Sequence, residues 1–336
     1  MSPLGQVSLN HPYRRLKIPR NVPLELRPSL GQGWGAFATR RIERGSRILS
    51  EKPLFIIRKP HTDITEEHVR MAFQELSPSQ QAEVLLLRDN GSMAFPSLNQ
   101  AFAENSFCIT TADPDRPPAY GLFPLHSRFN HSCIPNSKIP VTKGETISIF
   151  ATRNIDAGEE ITFCYESDFE CRTRYERHEA LRFTCNCMAC LPGTPFQQLS
   201  DMRRRLIRGL QYLTLGVDIN GQRQSSHSSI IVDSELRNAA ETFSIPISCR
   251  FIYTLLTIFL IEEEGLLDDF LVERLRPGLV ATAGLFTLES NCSIARLAMN
   301  QGSWLERLLV GFELYGRRDT ADHEVILALQ KVRLVT

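Results

Sequence analysis

The sequence has little that would seat it in a membrane. Its longest apolar run, Phe251 to Ile261, is shorter than the ~18 residues a span requires, and Glu262-Glu263-Glu264 follows at once. A buried helix is expected there. Met1 to Arg20 is polar, so no secretory leader is expected. An excess of either charge is also lacking: 38 basic against 38 acidic residues give a net charge of zero. No general attraction to polyanions follows, and no direct nucleic-acid binding is expected. The densest basic cluster, Met202-Arg203-Arg204-Arg205, reads as the solvated face of a helix. No HExxH pair is present, which argues against a zinc-dependent hydrolase. No convincing repeat is present either, although a helical-hairpin array stays compatible with the C-terminal part.

What is there is an ordinary globular composition, 42% hydrophobic and 23% charged, over 336 residues. That length supports a sizeable core and two domains. Nine cysteines in a chain without a recognisable export signal favour thiols and metal ligands over disulfides.

Residues 1–24 carry four prolines and scattered basic residues, and read as a loosely ordered arm. Leu24 to Arg27 alternates as a strand. Gly31-Gln32-Gly33-Trp34-Gly35 then offers a glycine-rich turn whose backbone could approach a ligand closely. It is not a dinucleotide fingerprint, because strand-like residues follow it and no helix does. Arg44-Gly45 reads as a hairpin turn between Ala36-Phe37-Ala38 and Arg47-Ile48-Leu49, and Pro53 to Ile57 as extended. From His61 the period changes to helical. One helix opens at Ile64 to Val69, a second at Ser77-Pro78, and a third covers Leu98 to Phe107. A helical insert therefore splits a β-rich domain. Strands return at Thr146 to Phe150 and Ile161 to Phe163, with a turn at Asn154 to Glu159. Arg172 to Arg182 is helix-compatible, and Phe196 to Leu215 places Leu199, Met202, Leu206, Leu210 and Leu213 at helical spacing. Several further helices are expected from Ile230 to Leu334, with Cys249 and Cys292 in their core.

Two stretches carry chemistry. Asn130-His131-Ser132-Cys133-Ile134-Pro135-Asn136 is too polar for a core strand and is expected outside regular structure. Cys185, Cys187 and Cys190 supply three thiols on a tight loop, one short of the tetrahedral set a structural zinc takes. Cys133, Cys108, Cys164 and Cys171 are candidates for the fourth. Cys133 is preferred because its segment is irregular and can aim a side chain. Cys164 should lie within a strand, facing away from Phe163 and Tyr165.

Together, four motifs resemble the SET domain of protein lysine methyltransferases. They are G-x-G-x-G-x-F-A at Gly31 to Ala38, N-H-S-C-x-P-N at Asn130 to Asn136, G-E-E-I-T-F-C-Y at Gly158 to Tyr165, and C-x-C-x-x-C at Cys185 to Cys190. The helical insert and the cysteine spacing look like the SMYD and fungal-type branch. The MYND zinc module of SMYD proteins is missing, since residues 58–118 hold only Cys108. The resemblance implies an α+β chain: a β-rich SET fold with knot-like threading of the N-H-S-C and G-E-E-I-T-F-C-Y segments, a zinc-bound post-SET loop and an all-α C-terminal region. The expected domains are an arm at 1–24, a SET domain at 25–168 with its insert at about 60–118, a post-SET element at 169–195 and a helical domain at 196–336.

The resemblance also implies S-adenosylmethionine as cofactor, one structural Zn2+ ion, and a protein or peptide substrate presenting a lysine, with chromatin among the candidates. A monomer in nucleus or cytoplasm is the favoured state. By the same resemblance Gln32, Gly33 and Trp34 line the cofactor's methionine end, and Asn130 and His131 hold its amino group and adenine. Phe183 stacks on the adenine, and Tyr165 places its phenol near the transferring methyl. Phe163 lines the substrate channel and leaves room for multiple methylation. Arg128 stands two residues before Asn130, where many SET domains have arginine three before, and receives no cofactor role. The alternative to an enzyme is a catalytically silent SET-fold scaffold that binds partners through its helical tail.

Overall fold

The computed structural model describes residues 11–90, 92–109, 118–140 and 144–215, together with part of 254–273. The chain divides into two compact units, Met1–Cys164 and Tyr165–Thr336. The described residues are mixed α and β. Among the described residues, the first unit holds ten short strands: β1 Leu24–Ser29, β2 Gly33–Ala38, β3 Arg47–Glu51, β4 Ile56–Ile57, β5 Ser106–Ile109, β6 Ala119–Leu122, β7 Asn130–His131, β8 Ser137–Lys138, β9 Ile147–Ala151 and β10 Glu160–Phe163. They form three small sheets, ordered β1-β2-β10-β7, β3-β9-β8 and β4-β6-β5. Alternation explains the inner strands: β9 buries Ile147, Ile149 and Ala151, and β10 buries Ile161 and Phe163. Ile149, Ala151, Ile161 and Phe163 meet Ala36, Leu49, Phe129 and Ile155 in one core, while Ile147 joins Ile109, Ala119 and Phe123 in another.

Gly31 and Gly33 take φ of +75° and +72°, which only glycine adopts without strain, and turn β1 back onto β2. Gly45 turns as expected, with φ of +79°. It does not join a hairpin, however, because β2 and β3 belong to different sheets. Ile42 and Ile155 bridge there instead, drawing the chain away from β2.

The insert contributes three helices: α1 Glu66–Gln74, α2 Pro78–Leu86 and α3 Leu98–Asn105. Thr65 and Ser77 cap the first two through reciprocal bonds with His68 and Gln80. The Glu66 carboxylate accepts the N–H groups of Leu98 at 3.2 Å and Asn99 at 2.7 Å, so α1 caps α3 from outside. The third helix stops at Asn105, short of the expected Phe107. Ser106–Ile109 pairs with β6 along its whole length, so strand pairing wins and the insert is not purely helical. Of the arm expected over 1–24, residues 1–10 lie outside the described residues, and the part from His11 packs onto the first unit through buried Tyr13 and Leu16.

The Asn130 to Asn136 segment also departs from its expectation. Asn130 and His131 form β7 and pair in parallel with Thr162 and Phe163 of β10. Its polar sequence is tolerated because a neighbouring strand satisfies the backbone. Asn136, almost wholly buried, then acts as a side-chain strand. Its Oδ1 accepts the Thr162 N–H at 2.8 Å and its Nδ2 donates to the Glu160 carbonyl at 2.8 Å. Ser137 Oγ donates to the Thr162 carbonyl at 2.7 Å, and the Ser132 N–H donates to the Phe163 carbonyl at 3.1 Å. Cys164 lies beyond the end of β10, not within it.

In the second unit, α4 spans Arg174–Leu181 and α5 spans Pro195–Leu215. The buried face of α5 is Ser200, Arg203, Arg204, Ile207 and Leu210, whereas Leu199 and Met202 are 48% and 52% exposed. The solvated reading of Met202 to Arg205 is thus corrected for its two central arginines. Glu264, fully buried, pairs with Arg203 Nε at 2.7 Å and Arg204 Nε at 2.8 Å and accepts the Ser200 hydroxyl. The helices expected from Ile230 to Leu334, the full extent of the Phe251 to Ile261 run, Cys249 and Cys292 lie largely or wholly outside the described residues. Among the described residues, no helix is long and apolar enough to cross a membrane.

Two stability measurements follow. Asn136→Ala leaves a strand N–H and a carbonyl without partners, and is expected to cost about 2–4 kcal/mol by urea unfolding. Glu264→Ala strands two buried guanidinium groups and is expected to cost about 3–5 kcal/mol in the same assay.

Candidate functional site

The glycine turn fits its surroundings closely. A Cβ on Gly33 would stand 2.7 Å from Asn90 Oδ1. One on Gly35 would run into the Glu160 carboxylate and lie 2.7 Å from Asn130 Nδ2. The bare backbone lets three segments converge here. Glu160 Oε2 accepts the Ser29 hydroxyl at 2.8 Å, and Oε1 accepts Asn130 Nδ2 at 2.7 Å. The same amide nitrogen lies 3.4 Å from the Trp34 carbonyl. Glu160 therefore ties the Gln32-Gly33-Trp34 turn to Asn130. Sequence reasoning quoted this glutamate in its motif but gave it no role. Its signal is an acidic side chain at the start of a strand flanked by two polar segments.

His131 is 1% exposed, and its Nε2 lies 3.2 Å from Cys133 Sγ. Its ring is thus committed toward the thiol, while its backbone runs beside β10. Ser132 Oγ folds back on Ile134, accepting its N–H at 3.1 Å, and so sets the bend that carries Cys133. Arg128 packs over the Tyr13 ring at 4.3 Å and bonds the Asn105 side chain. It acts as a strut between the His11 to Leu16 segment and α3. Phe163 is buried beside Phe107, with ring centres 5.9 Å apart.

In the second unit, Tyr165 is 44% exposed and Phe183 is 40% exposed. Phe183 follows Arg182, whose left-handed φ of +60° ends α4. The cysteine loop is built around α4. Arg177, fully buried, donates to Cys190 Sγ at 3.3 Å and to the Ala189 carbonyl at 3.2 Å. Arg174 Nε donates to the Cys190 carbonyl at 2.8 Å. A guanidinium held against a sulfur favours the thiolate, the form that binds metals.

The sulfurs of Cys133, Cys185, Cys187 and Cys190 all lie within 4.8 Å of one another. Four thiolates at ~2.3 Å from one tetrahedral ion stand ~3.8 Å apart, so the donor set fits a metal ion. Three of the four are buried and Cys187 is half-buried, which suits a structural ion more than a catalytic one. The other candidates for the fourth position stand apart. Cys108 is exposed on β5. Cys171 donates its S–H to Gln211 Oε1 at 2.8 Å, and burial, reinforced by the nearby Glu170 carboxylate, pushes its thiol well above the ordinary range. Of the residues expected at the site, Gln32, Gly33, Trp34, Asn130, His131 and Phe163 belong to the first unit, and Tyr165 and Phe183 to the second.

Residues 33–166 match the SET domain family. Among curated proteins, the chain is 41% identical over 100 residues to mouse histone-lysine N-methyltransferase SMYD3, covering 28% of this chain and 22% of that one. It is 29% identical over 182 residues to histone-lysine N-methyltransferase set5 of Schizosaccharomyces pombe, covering 53% and 54% respectively. It is 38% identical over 80 residues to mouse protein-lysine N-trimethyltransferase SMYD5, covering 21% and 18%. The chain thus spans about half the length of set5 and about a fifth of the two SMYD proteins.

Metal content tests the cluster directly. Protein purified with a reductant is expected to carry about one tetrahedrally held ion per chain by elemental analysis. Cys190→Ser should lose it, and Arg177→Leu should weaken retention against a chelator by roughly 10–100-fold.

Proposed function

We propose that this chain, which carries a SET domain over residues 33–166 and is related to the SMYD and fungal set5 proteins, is an S-adenosylmethionine-dependent protein-lysine N-methyltransferase. The observation that carries this reading is the convergence of the glycine turn, Asn130 and the Glu160 strand on one sheet, inside the matched segment. When bound, the cofactor supplies an electrophilic methyl group on a sulfonium. The acceptor is a lysine amine, which must be neutral to attack although its ordinary pKa is ~10.4. An apolar channel beside a cation lowers that value by desolvation and by like charge.

The chain's own residues then have separable tasks. Gln32, Gly33 and Trp34 approach the methionine end of the cofactor through backbone. Asn130, oriented by Glu160, and the His131 peptide group hold its amino group and adenine. Phe183 stacks on the adenine. Tyr165 directs its phenol oxygen at the transferring methyl and stabilises partial positive charge there, so alignment supplies much of the acceleration. Phe163 walls the lysine channel without a hydroxyl to anchor a water, which leaves room for a second and third methyl. Cys133, Cys185, Cys187 and Cys190 hold one structural Zn2+, which steadies the loop after Phe183. The N-H-S-C and G-E-E-I-T-F-C-Y segments thread past one another as a knot-like pair. The helical C-terminal region shapes the substrate groove.

The decisive experiment is methyl transfer from labelled cofactor into whole-cell extract. Tyr165→Phe is expected to lower incorporation by roughly a hundredfold with cofactor affinity little changed. Phe163→Tyr should shift the product toward monomethyl-lysine by mass spectrometry. Cofactor binding without turnover by the wild type, across extract and peptide panels, would instead identify a scaffold.

A further inference from the structure

The segment from His11 to Leu16 was expected to be loose, yet it is among the better-anchored parts of the first unit. Tyr13 is 3% exposed. Its hydroxyl donates to the Arg88 carbonyl at 2.8 Å and accepts the Arg88 N–H at 2.9 Å. Arg128 adds a hydrogen bond to the same oxygen and lies over the ring. The phenol thus donates once and accepts twice, which uses its capacity fully.

That anchor delivers His11 onto the glycine turn. The imidazole stacks on Trp34 with ring centres 4.1 Å apart and planes 19° from parallel. Arg14 adds its guanidinium over the same indole at 5.7 Å. His11 Nδ1 accepts the Tyr13 N–H at 3.2 Å, so in the neutral ring the proton resides on Nε2. Nε2 is buried and has no hydrogen-bond partner among the described residues. A polar group left in that state is retained at a cost, so packing on Trp34 outweighs hydration of the imidazole. Tyr13 meets the same indole edge-on, with ring centres 6.2 Å apart, so His11, Tyr13 and Arg14 all converge on Trp34.

We infer that His11 is a positioning residue for the cofactor site: a clamp, anchored through Tyr13, that fixes the Trp34 turn in its binding shape. This rests on the reading of the Trp34 turn as cofactor-binding. The clamp works through the flat neutral ring. Charging it is opposed by burial and by Arg88, Arg128 and Arg14, the cations that face it, with Tyr13 the remaining titratable neighbour; all hold its pKa below the ordinary value near 6.5. Because the docked form has the lower pKa, docking is complete above about pH 6.5 and is progressively lost as pH falls below it.

Calorimetric titration of the full chain with S-adenosylmethionine tests the clamp. His11→Ala is expected to weaken binding about five- to tenfold, while His11→Phe, which keeps the ring and deletes the unpartnered nitrogen, binds within about twofold of wild type and melts no lower. Between pH 7.5 and 5.5 the wild type should lose affinity that His11→Phe retains. Equal affinity of wild type and His11→Ala, or identical pH profiles for wild type and His11→Phe, would overturn the clamp. A wild type that binds no cofactor would overturn the parent reading, so the two failures are distinguishable.

Discussion

The convergence of segments in the first unit depends on one side-chain amide standing in for a strand. Asn136 bonds both ways to β10, to the Thr162 N–H and the Glu160 carbonyl. Those bonds leave the other edge of β10 free for β2 and fix the level at which β7 runs beside it. An ordinary neighbouring strand would satisfy the same groups but would need an extended run of residues. The proline before Asn136 forbids one, and the asparagine replaces it with a single residue.

Glu160 turns this backbone arrangement into a site. It begins β10, so the bonds that position the strand also position its carboxylate. From there it reaches Ser29 on one hairpin arm and Asn130 on β7. The glycine at position 35 is the complement of this network, since any side chain would occupy the volume the carboxylate takes. The turn, the strand and the Asn130 segment therefore form one cooperative object, with His11 closing it from outside.

How much of this was legible follows from where partners lie in the chain. The alternation of β9 and β10 and the turn at Gly31 to Gly35 are local signals, and they read correctly. The cysteine loop is local too, and its thiols gather with Cys133 into a group that could hold a metal ion. The pairing of Asn130 and His131 was not legible, because a parallel partner about thirty residues away supplies what their polar side chains do not. Tyr13 gave no local sign either, since its anchor at Arg88 is 75 residues downstream. On α5, periodicity placed Leu199, Met202 and Leu210 on one apolar face; of these three the structure buries Leu210, and it buries Arg203 and Arg204 beside it because Glu264 neutralises them from about 60 residues further on.

That buried acidic group has an evolutionary corollary. Arg203, Arg204 and Glu264 satisfy one another and cannot drift independently: losing the acid strands two cations, and losing either base leaves a carboxylate short of a partner. Relatives of this protein should keep the trio intact or replace it whole with aliphatic residues of similar volume. Intermediate combinations should be rare, and their co-inheritance would mark the boundary of the lineage that folds this region in the same way.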